Sequence, residues 1–480
     1  MQEKMKIAII GAGIAGSTAA IYLGKLGLDV TLFERGNSIV SGPPFCHLHA
    51  GGNLYREISD EACVTLLKES IELLRMYPQV IDYRPTVLAI PTVDNGEAKD
   101  LFKRLDILKE EYKKLVNEDS KNQVLGKVED YYKVYTKEEL KKLKEKKTVK
   151  KPKSFDEWMI PVAKNVDLNK IKDTLIMVQE YGLNIFRLSA SAKMILDEMS
   201  NVKIKLNTTV SNIIEDESLK NFVIEFKNNE LINEQRFDYI INAAGFRTGK
   251  IDDMLKVKAK RLVEFKSAYV SKWTDCDTIW PEVIFYGTRG TPQGMAQFTP
   301  YPNGHFQIHG MTEEITLFKN GLAKSCENSS QPKLEKKFVK KITQGWEKSD
   351  IENRTKSAIN YIKQFIPSFK NVEVASKPLY GAQQIPGDEV SLRTADVCFE
   401  SERYARCEIV KASSVLTMSD MIIKSLIELS ILPSDVYKNR TQIFDKFQDR
   451  EKLDSLSKEI AKQRDYPEEL AMLINDKKLN

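Results

Sequence analysis

Histidine is scarce in this 480-residue chain, and its four copies fall in two close pairs. His47 and His49 lie in "GPPFCHLHAGGNLY", and His305 and His309 lie in "NGHFQIHG". The ordinary pKa of histidine is near neutrality, so each pair could supply a general base, and a His-x-His spacing could also bind zinc. No acidic or cysteine pattern stands beside the first pair, and the six cysteines show no Cys-x-x-Cys spacing. We therefore predict no metal site.

A glycine-rich turn lies about thirty residues before the first histidine pair. The turn, "GAGIAG" at 11–16, stands between an apolar strand and a small-residue helix, and a second strand ends at Glu34. This is the context of a dinucleotide-binding unit, in which the glycines let the backbone approach a diphosphate at the helix N-terminus. Glu34 would accept hydrogen bonds from ribose hydroxyls and repel a 2′-phosphate, which disfavours NADP. The expected cofactor residues here are Gly11, Ala12, Gly13, Ile14, Ala15, Gly16, Glu34 and Arg35.

FAD and NAD share this turn, and three further features favour FAD. The turn stands at the start of a long chain, and no second Gly-x-Gly-x-x-Gly is present for a separate nicotinamide domain. Residues 237–249, "FDYIINAAGFRTG", predict a buried strand that ends in Ala-Ala-Gly after the strand-like segment 202–216. This arrangement resembles the way in which flavoproteins related to D-amino-acid oxidase return the chain to FAD. It adds three expected cofactor residues, Val210, Ala244 and Gly245.

Two C-terminal segments complete the expected cofactor site. Residues 378–388 read "PLYGAQQIPGD", and residues 403–426, "RYARCEIVKASSVLTMSDMIIKSL", predict a strand, a short turn and an apolar helix. The N–H groups at the start of this helix, at Ser413, Ser414 and Val415, could face the flavin edge that gains negative charge on reduction. Alternatively, the segment is an ordinary capped helix.

Taken in order, "GAGIAGSTAAIYLGKLG", "GGNLY", "GAQQIPG" and "KASSVLTMSDMIIKSL" resemble the malate:quinone oxidoreductases, in their divergent branch, within the D-amino-acid oxidase-like flavoprotein superfamily. The resemblance implies an α/β fold, with a Rossmann-type FAD-binding lobe and a second lobe built on a mixed or antiparallel β-sheet that carries helices. It also implies oxidation of L-malate, or a close 2-hydroxy acid such as lactate, by hydride transfer to flavin N5, with membrane quinone as electron acceptor. One departure is Gln383, which stands where many members of the superfamily have an arginine. An amide cannot clamp a carboxylate bidentately, so any cations for the substrate must lie elsewhere.

Oxidation of a 2-hydroxy acid needs a base for the hydroxyl proton and cations for the carboxylates. His309 lies on a predicted strand and would share one face with Gln307 and His305, so we expect it to be the base, although both histidines could instead be structural. The residues expected to bind the carboxylates could equally be surface or structural residues. They are Arg187, Arg289 and Arg393, with Tyr301 and Gln383 as neutral partners.

The first histidine pair has a different expected role, because it lies between Pro43-Pro44 and Gly51-Gly52 in a segment able to run close to a flat cofactor. The sequence His49-Ala50-Gly51 also resembles the site at which relatives of the dimethylglycine dehydrogenase type carry flavin covalently. We therefore expect this strip to lie along the isoalloxazine, with the second histidine pair on the opposite wall. The residues expected to contact the flavin are His47, His49, Ala50 and Gly51.

The predicted domain organisation is discontinuous. The FAD-binding lobe comprises residues 1–92, 201–250 and 372–430, and the substrate or cap lobe comprises residues 93–200 and 251–371. Residues 431–480 form a charged, helical C-terminal tail.

Composition and charge narrow the partners and the location. The net charge of +5 is small, and no basic stripe with interleaved aromatic residues appears, so nucleic acid is not an expected partner. No run of about 18 apolar residues predicts a membrane span, the first residues enter a strand at once, and the scattered cysteines suit a reducing compartment. We expect a cytoplasmic protein that binds the inner face of the cell membrane peripherally, through the lysine-rich residues 141–153 or the tail. The alternatives are an amine or amino-acid oxidase of the same superfamily that uses oxygen, a flavin-binding scaffold and an RNA-modifying flavoprotein.

Overall fold

The computed structural model describes residues 5–42, 48, 50–53, 58–229, 231–390, 397–444 and 448–476. Three residues with predicted roles, His47, His49 and Arg393, lie outside this part of the chain. The strands of the described residues are β1 (Lys6–Ile10), β2 (Asp29–Phe33), β3 (Ile81–Asp82), β4 (Thr86–Pro91), β5 (Tyr132–Thr136), β6 (Ile171–Val178), β7 (Gly182–Leu183), β8 (Val202–Lys205), β9 (Thr208–Asp216), β10 (Asn221–Asn228), β11 (Leu231–Phe237), β12 (Tyr239–Asn242), β13 (Arg261–Trp273), β14 (Glu282–Phe285), β15 (Ala296–Pro300), β16 (His305–Gly310), β17 (Leu322–Lys324), β18 (Val372–Val374), β19 (Leu379–Pro386), β20 (Val397–Ser401) and β21 (Tyr404–Cys407). The α-helices are α1 (Ile14–Lys25), α2 (Asp60–Met76), α3 (Phe102–Glu118), α4 (Lys137–Lys144), α5 (Phe155–Asn165), α6 (Ile185–Asp197), α7 (Thr248–Met254), α8 (Lys336–Gln344), α9 (Lys348–Lys363), α10 (Val415–Glu428) and α11 (Arg450–Gln463).

A six-stranded sheet, in the order β20-β21-β12-β1-β2-β8, carries the glycine turn at the end of β1. All neighbours in it are parallel except β20 and β21. Successive side chains point to opposite faces of a strand, so Ile7 and Ile9 of β1 pack with the helical core, which includes α1 and α10. Ala8 and Ile10 pack instead with a three-stranded antiparallel sheet, β9-β10-β11. The parallel sheet is therefore covered on both faces.

A mixed sheet of ten strands forms the second layer of the fold. Its path is β17-β13-β16-β15-β14-β4-β6-β5, and β18 and β19 also pair with β13. Phe298 of β15 and Phe306 of β16 stack with ring centroids 4.2 Å apart, in a core that also contains residues of α5 and α9. The intervening residues Gln297 and His309 are directly opposite each other in the β15–β16 ladder and lie on the other face of the sheet. The predicted α/β fold, with a Rossmann-type unit and a second β-sheet lobe, is confirmed.

The sequence ranges and the sheets differ at some points. All six strands of the parallel sheet fall within the ranges expected for the FAD-binding lobe. However, β4, β18 and β19 come from the same ranges and pair in the ten-stranded sheet, because β14 and β13 offer them hydrogen-bonding edges. The C-terminal tail packs through α11 against α6. Within the described residues, no helix has both the length and the apolar character needed to cross a bilayer.

Candidate functional site

Two connected cavities lie where the glycine turn meets the ten-stranded sheet. The larger cavity, about 740 Å³, is lined by residues of the turn, the end of β2, and the segments 208–211 and 463–466. The smaller cavity, about 340 Å³, is lined by residues of β13 to β16 and of β19. Gly13, Gly245 and Gly381 line both, so the two cavities form one continuous site.

The glycine turn is shaped to receive a ligand. Gly11 has a φ of +102°, and a Cβ there would collide with the carbonyl oxygen of Ala243. A Cβ on Gly13 would meet no atom within 4 Å, because this residue borders the open cavities. Helix α1 begins at the next residue, so the N–H groups of its first turn lie at this border. The arrangement fits the diphosphate of a dinucleotide.

Glu34 lies in the larger cavity, as expected for a ribose-binding carboxylate. Its Oε2 accepts a hydrogen bond from the Ala12 N–H at 2.8 Å, and its Oε1 accepts one from the Gly36 N–H at 2.7 Å. A carboxylate has about four acceptor positions, so each oxygen can still accept from a ribose hydroxyl. The donor set of the turn therefore fits a dinucleotide cofactor.

The other expected cofactor residues divide into those that reach the cavities and those that support the turn. Gly16 and Ala12 belong to the second group, because a Cβ on Gly16 would collide with the Gly11 carbonyl and the Ala12 N–H holds Glu34. The first group lines one or both cavities and comprises Arg35, Val210, Ala244, Gly245, Ile14 and Ala15.

The start of α10 lies behind the cavity wall rather than in it, which corrects the expectation for Ser413, Ser414 and Val415. Ser414 is fully buried, and its Oγ donates a hydrogen bond to Oε2 of Glu69 at 2.6 Å. Ser413 and Ser414 belong to a 3₁₀ turn that precedes the helix, and neither they nor Val415 line the cavities. The residues of this segment that line the smaller cavity are instead Ile409, Val410, Lys411 and Ala412.

Residues 50–53, a described part of the first histidine segment, are held in the interior beside the smaller cavity. Asn53 lines this cavity, whereas Gly51, with a φ of +104°, packs against the carbonyl of Cys63 in the interior, and Ala50 is also buried. The N–H groups of Gly52 and Asn53 both donate to Oε1 of Glu180, a fully buried carboxyl. Ala50 and Gly51 are therefore structural in this arrangement, and the described residues of the strip that line the cavities are Gly42 and Asn53.

Two of the six expected catalytic residues, His309 and Gln383, line the smaller cavity. The oxygen and the nitrogen of the Gln383 amide each form a hydrogen bond. Its Oε1 accepts from Lys266 Nζ at 2.9 Å, and its Nε2 donates to the Val410 carbonyl at 3.1 Å. His305 shares the strand face of His309 but lies outside the cavity, with its Nδ1 3.3 Å from the Pro302 carbonyl. Gln383 therefore positions Lys266 at the edge of the cavity, and its amide nitrogen has one further N–H to donate.

Arg187, Arg289 and Tyr301 do not line the smaller cavity. Arg187 donates to the Gln79 carbonyl at 2.8 Å and pairs with Asp454 of α11, and Arg289 pairs with Glu264. Tyr301 donates to Gln307 at 3.3 Å in the interior. The two arginines were predicted to bind a carboxylate, but the carboxylate that each binds belongs to the protein itself.

Lys266 and Gln297 reach the smaller cavity and were missed from the sequence. Lys266 lies in the apolar strand β13, where it pairs with Glu264 at 2.7 Å. Burial opposes ionisation of Glu264, but Lys266 and Arg289 outweigh it and hold the pKa of this carboxyl below its ordinary value. Charged residues inside a long β-branched and aromatic strand were the available signal. The other missed lining residues include Lys411, Ile284, Tyr286, Met295 and Met311.

A buried polar chain runs inward from Gln297. Its Nε2 donates to Oε1 of Glu282, whose Oε2 pairs with Arg84. The Nε of Arg84 lies 3.5 Å from Oδ2 of Asp82. Because the Nε2 of Gln297 donates to Glu282, the amide oxygen of Gln297 is directed away from Glu282 and can accept a hydrogen bond. Gln297 thus presents an acceptor next to His309, its neighbour across the β15–β16 ladder.

Comparison with known proteins agrees with this geometry. Residues 6–138 match the family model described as DAO: FAD dependent oxidoreductase. A thiamine thiazole synthase from Pyrobaculum aerophilum is 35% identical over 91 residues, which is 19% of this chain and only 30% of that protein.

Solved structures share the fold over most of the chain. An L-proline dehydrogenase from P. horikoshii superposes with a TM-score of 0.55 at 17% identity, covering 91% of this chain and 97% of its own. An L-amino acid deaminase from Proteus vulgaris gives 0.55 at 13% identity, with 89% and 94% covered. An L-alpha-glycerophosphate oxidase from Mycoplasma pneumoniae, solved with FAD bound, gives 0.52 at 15% identity, with 89% and 95% covered. These likenesses show the fold, and the family match over residues 6–138 supports the DAO-like FAD-dependent oxidoreductases and FAD as the cofactor. The narrower resemblance to malate:quinone oxidoreductases stays a prediction.

Proposed function

We propose that this chain, an FAD-dependent oxidoreductase of the DAO-like superfamily, oxidises a small 2-hydroxy acid, with L-malate the first candidate, and passes the electrons to quinone. The observation that carries the proposal is the position of His309. It is the one histidine of the described residues that lines the smaller cavity, and this cavity is continuous with the one that contains the glycine turn.

Bound FAD would supply the hydride acceptor, and the residues of the smaller cavity would do the rest of the work. The imidazole of His309 would take the proton of the C2 hydroxyl as the C–H bond is oxidised. The ammonium groups of Lys266 and Lys411 would attract the carboxylates, and the amide oxygen of Gln297 would accept a hydrogen bond that orients the hydroxyl. The apolar remainder of the wall would limit water around the reacting carbon.

An amino acid or secondary amine is the second candidate substrate, with oxygen as the acceptor. The observation that favours it is Gln297, because an amide oxygen fixed by Glu282 is equally suited to accept from an amine N–H. The cation set supports either substrate, since both candidates carry a carboxylate.

An anaerobic half-reaction distinguishes the candidates. The purified yellow protein would be mixed separately with malate, lactate, 2-hydroxyglutarate and a panel of amino acids, and bleaching of the flavin absorbance would be followed. We expect a hydroxy acid to bleach the flavin, and a quinone analogue to reoxidise it faster than oxygen does. Bleaching by an amino acid and by none of the hydroxy acids would remove the leading proposal in favour of the second.

The role of His309 has its own test. His309→Gln should slow bleaching by about 100-fold or more, the contribution usual for a general base, while the protein keeps its FAD. His305→Gln is the matched control, because this histidine lies on the same strand outside the cavity and should leave the bleaching rate unchanged. An unaltered rate in His309→Gln would exclude it as the base.

We also propose that the protein binds the cytoplasmic face of the membrane peripherally, where quinone is available. The segment 141–153 supports this, because its eight lysines are all exposed. Replacing the lysines at 146, 147, 150 and 151 with glutamine should reduce sedimentation with vesicles that contain anionic lipid. Equal sedimentation of the variant and the wild-type protein would contradict a role for this segment.

A further inference from the structure

We propose that Arg464, in the C-terminal segment 448–476, binds the diphosphate of FAD, so that this segment is part of the cofactor site. Arg464 lines the larger cavity together with Gln463, Asp465 and Tyr466. The glycine turn and Glu34 line the same cavity. No sequence motif connects this charged tail with a turn more than four hundred residues away.

The C-terminal segment is held firmly in place beside the cofactor site. Arg187 of α6 pairs with Asp454 of α11, which explains why this arginine is buried away from the cavity. Asn184 donates to the Leu470 carbonyl at 2.9 Å. The N–H group of Asn475 donates to Asp82 at 3.0 Å. The tail is therefore fixed to the fold at several points, and Arg464 has a defined position.

Arg464 makes contacts only with uncharged groups among the residues that the structure describes. It donates to the carbonyls of Ile39 at 2.7 Å and Val40 at 3.1 Å, and to Oγ of Ser189 at 3.0 Å. Its Nε is buried and has no partner within the same part of the chain. Burial lowers the pKa of Arg464 to about 10, although the nearby Tyr466 and Glu34 act in the opposite direction. A cation in this position lacks the counter-charge that a partly buried guanidinium needs.

Arg440, another arginine of the C-terminal tail, has the carboxylate partners that Arg464 lacks. Arg440 pairs with both Glu72 and Asp420, and these carboxylates raise its pKa above the ordinary value although burial opposes the charge. Burial lowers the pKa of Arg464, and no carboxylate of the described residues forms an ion pair with it that would offset the burial. A ligand in the cavity that Arg464 lines could supply the anion that the described residues do not.

The charge of the larger cavity points to the same ligand. Its lining contains two carboxylates, Glu34 and Asp465, against a larger set of cations. Arg247 resembles Arg464, since burial and the nearby Arg35 lower its pKa to about 10. The diphosphate is the anionic part of FAD, and the cations that would surround it are Arg35, Arg247, Lys250, Lys377 and Arg464.

Binding to the deflavinated full-length protein tests the proposal. Arg464→Gln should raise the Kd for FAD, followed by quenching of flavin fluorescence, by about tenfold or more, because a charged hydrogen bond is lost. The Kd for ADP should rise by a similar factor, whereas the Kd for adenosine, which has no diphosphate, should change by less than about twofold. Flavin should also be released faster when the Arg464→Gln holoenzyme is diluted.

Two further variants separate a charge contact from support of the fold. Lys462→Gln removes a nearby exposed cation outside the cavity and should bind FAD and ADP as the wild type does. Arg464→Lys keeps the charge and should retain most of the ADP affinity. Unchanged FAD and ADP binding by Arg464→Gln would overturn the proposal. So would an equal loss of ADP and adenosine binding, because Arg464 would then only support the Ile39–Val40 segment.

Discussion

Replacing Glu282 with glutamine should lower the thermal unfolding midpoint by about 3–5 °C. Glu282 is 1% exposed and Arg84 is 2% exposed, and the two form a salt bridge in the interior. Breaking such a pair by removing one partner costs about 3–5 kcal/mol, because the other charge remains buried. A cooperative unit as long as this chain has an unfolding entropy of about 1 kcal/mol/K near its midpoint, which converts that cost into the expected shift. Asp82, 3.5 Å from Nε of Arg84, compensates only part of the charge.

A double variant and a surface variant make this prediction specific. Replacing both partners, in Arg84→Met with Glu282→Leu, should restore part of the lost stability, since neither charge of the pair is left buried alone and Asp82, which loses its cation, keeps the N–H donors of Ile474 and Asn475. Lys193→Ala removes an exposed ion pair with Asp197 and should change the midpoint by less than about 1 °C. The prediction fails if the midpoint of Glu282→Gln stays within the range of the surface variant. Scanning calorimetry of the holoenzyme measures the unfolding midpoints of the three variants.

Local signals explain the part of the fold that could be predicted. The Rossmann-type unit was predictable because each of its features lies within thirty residues, and a glycine such as Gly11 is required by its own backbone and close contacts. The strand ending at Asn242 was predictable for the same reason. The sheet to which β4 and β19 belong could not be predicted, because an apolar strand pairs with whichever strand edge the whole fold brings beside it.

The candidate site shows the same division between local and distant information. His309 was predicted to lie at the site because histidine is rare and its strand alternates, and it does line the smaller cavity. Arg187 and Arg289 were misplaced because an arginine in a sequence carries no mark of its partner, and Asp454 lies more than two hundred and fifty residues from Arg187. Lys266 was missed for a similar reason, since nothing in its sequence shows that it lies buried beside its partner Glu264.

Glu180 is the residue whose environment makes the clearest prediction about pH. Its carboxyl is fully buried beneath the strip that carries Asn53, and burial raises its pKa from 4.5 to about 8. The N–H groups of Gly52 and Asn53 act in the opposite direction, and the nearby charge of Glu282 adds to the rise. Cys63 and Tyr131 also face Glu180, and burial raises the pKa of the Cys63 thiol to about 11 and that of the Tyr131 phenol well above its ordinary value. Neither of these groups therefore ionises in the range where Glu180 does.

Glu180→Gln should flatten the dependence of stability on pH between about 5 and 8. A carboxyl with a raised pKa takes up a proton on folding, so its stabilisation is complete below the ordinary value of 4.5 and is lost as the pH rises to about 8. The wild-type protein should lose up to about 1.4 kcal/mol per pH unit from this group, whereas the glutamine variant keeps an uncharged acceptor for the same N–H groups. The variant should therefore melt at a higher temperature than the wild type at pH 8 and at a similar temperature at pH 5. Asp197→Asn, which removes an exposed carboxylate, should leave the slope unchanged. Parallel melting curves for Glu180→Gln and the wild type across this range would mean that Glu180 is already ionised in the folded protein, held by the N–H groups of the strip rather than neutralised by its burial.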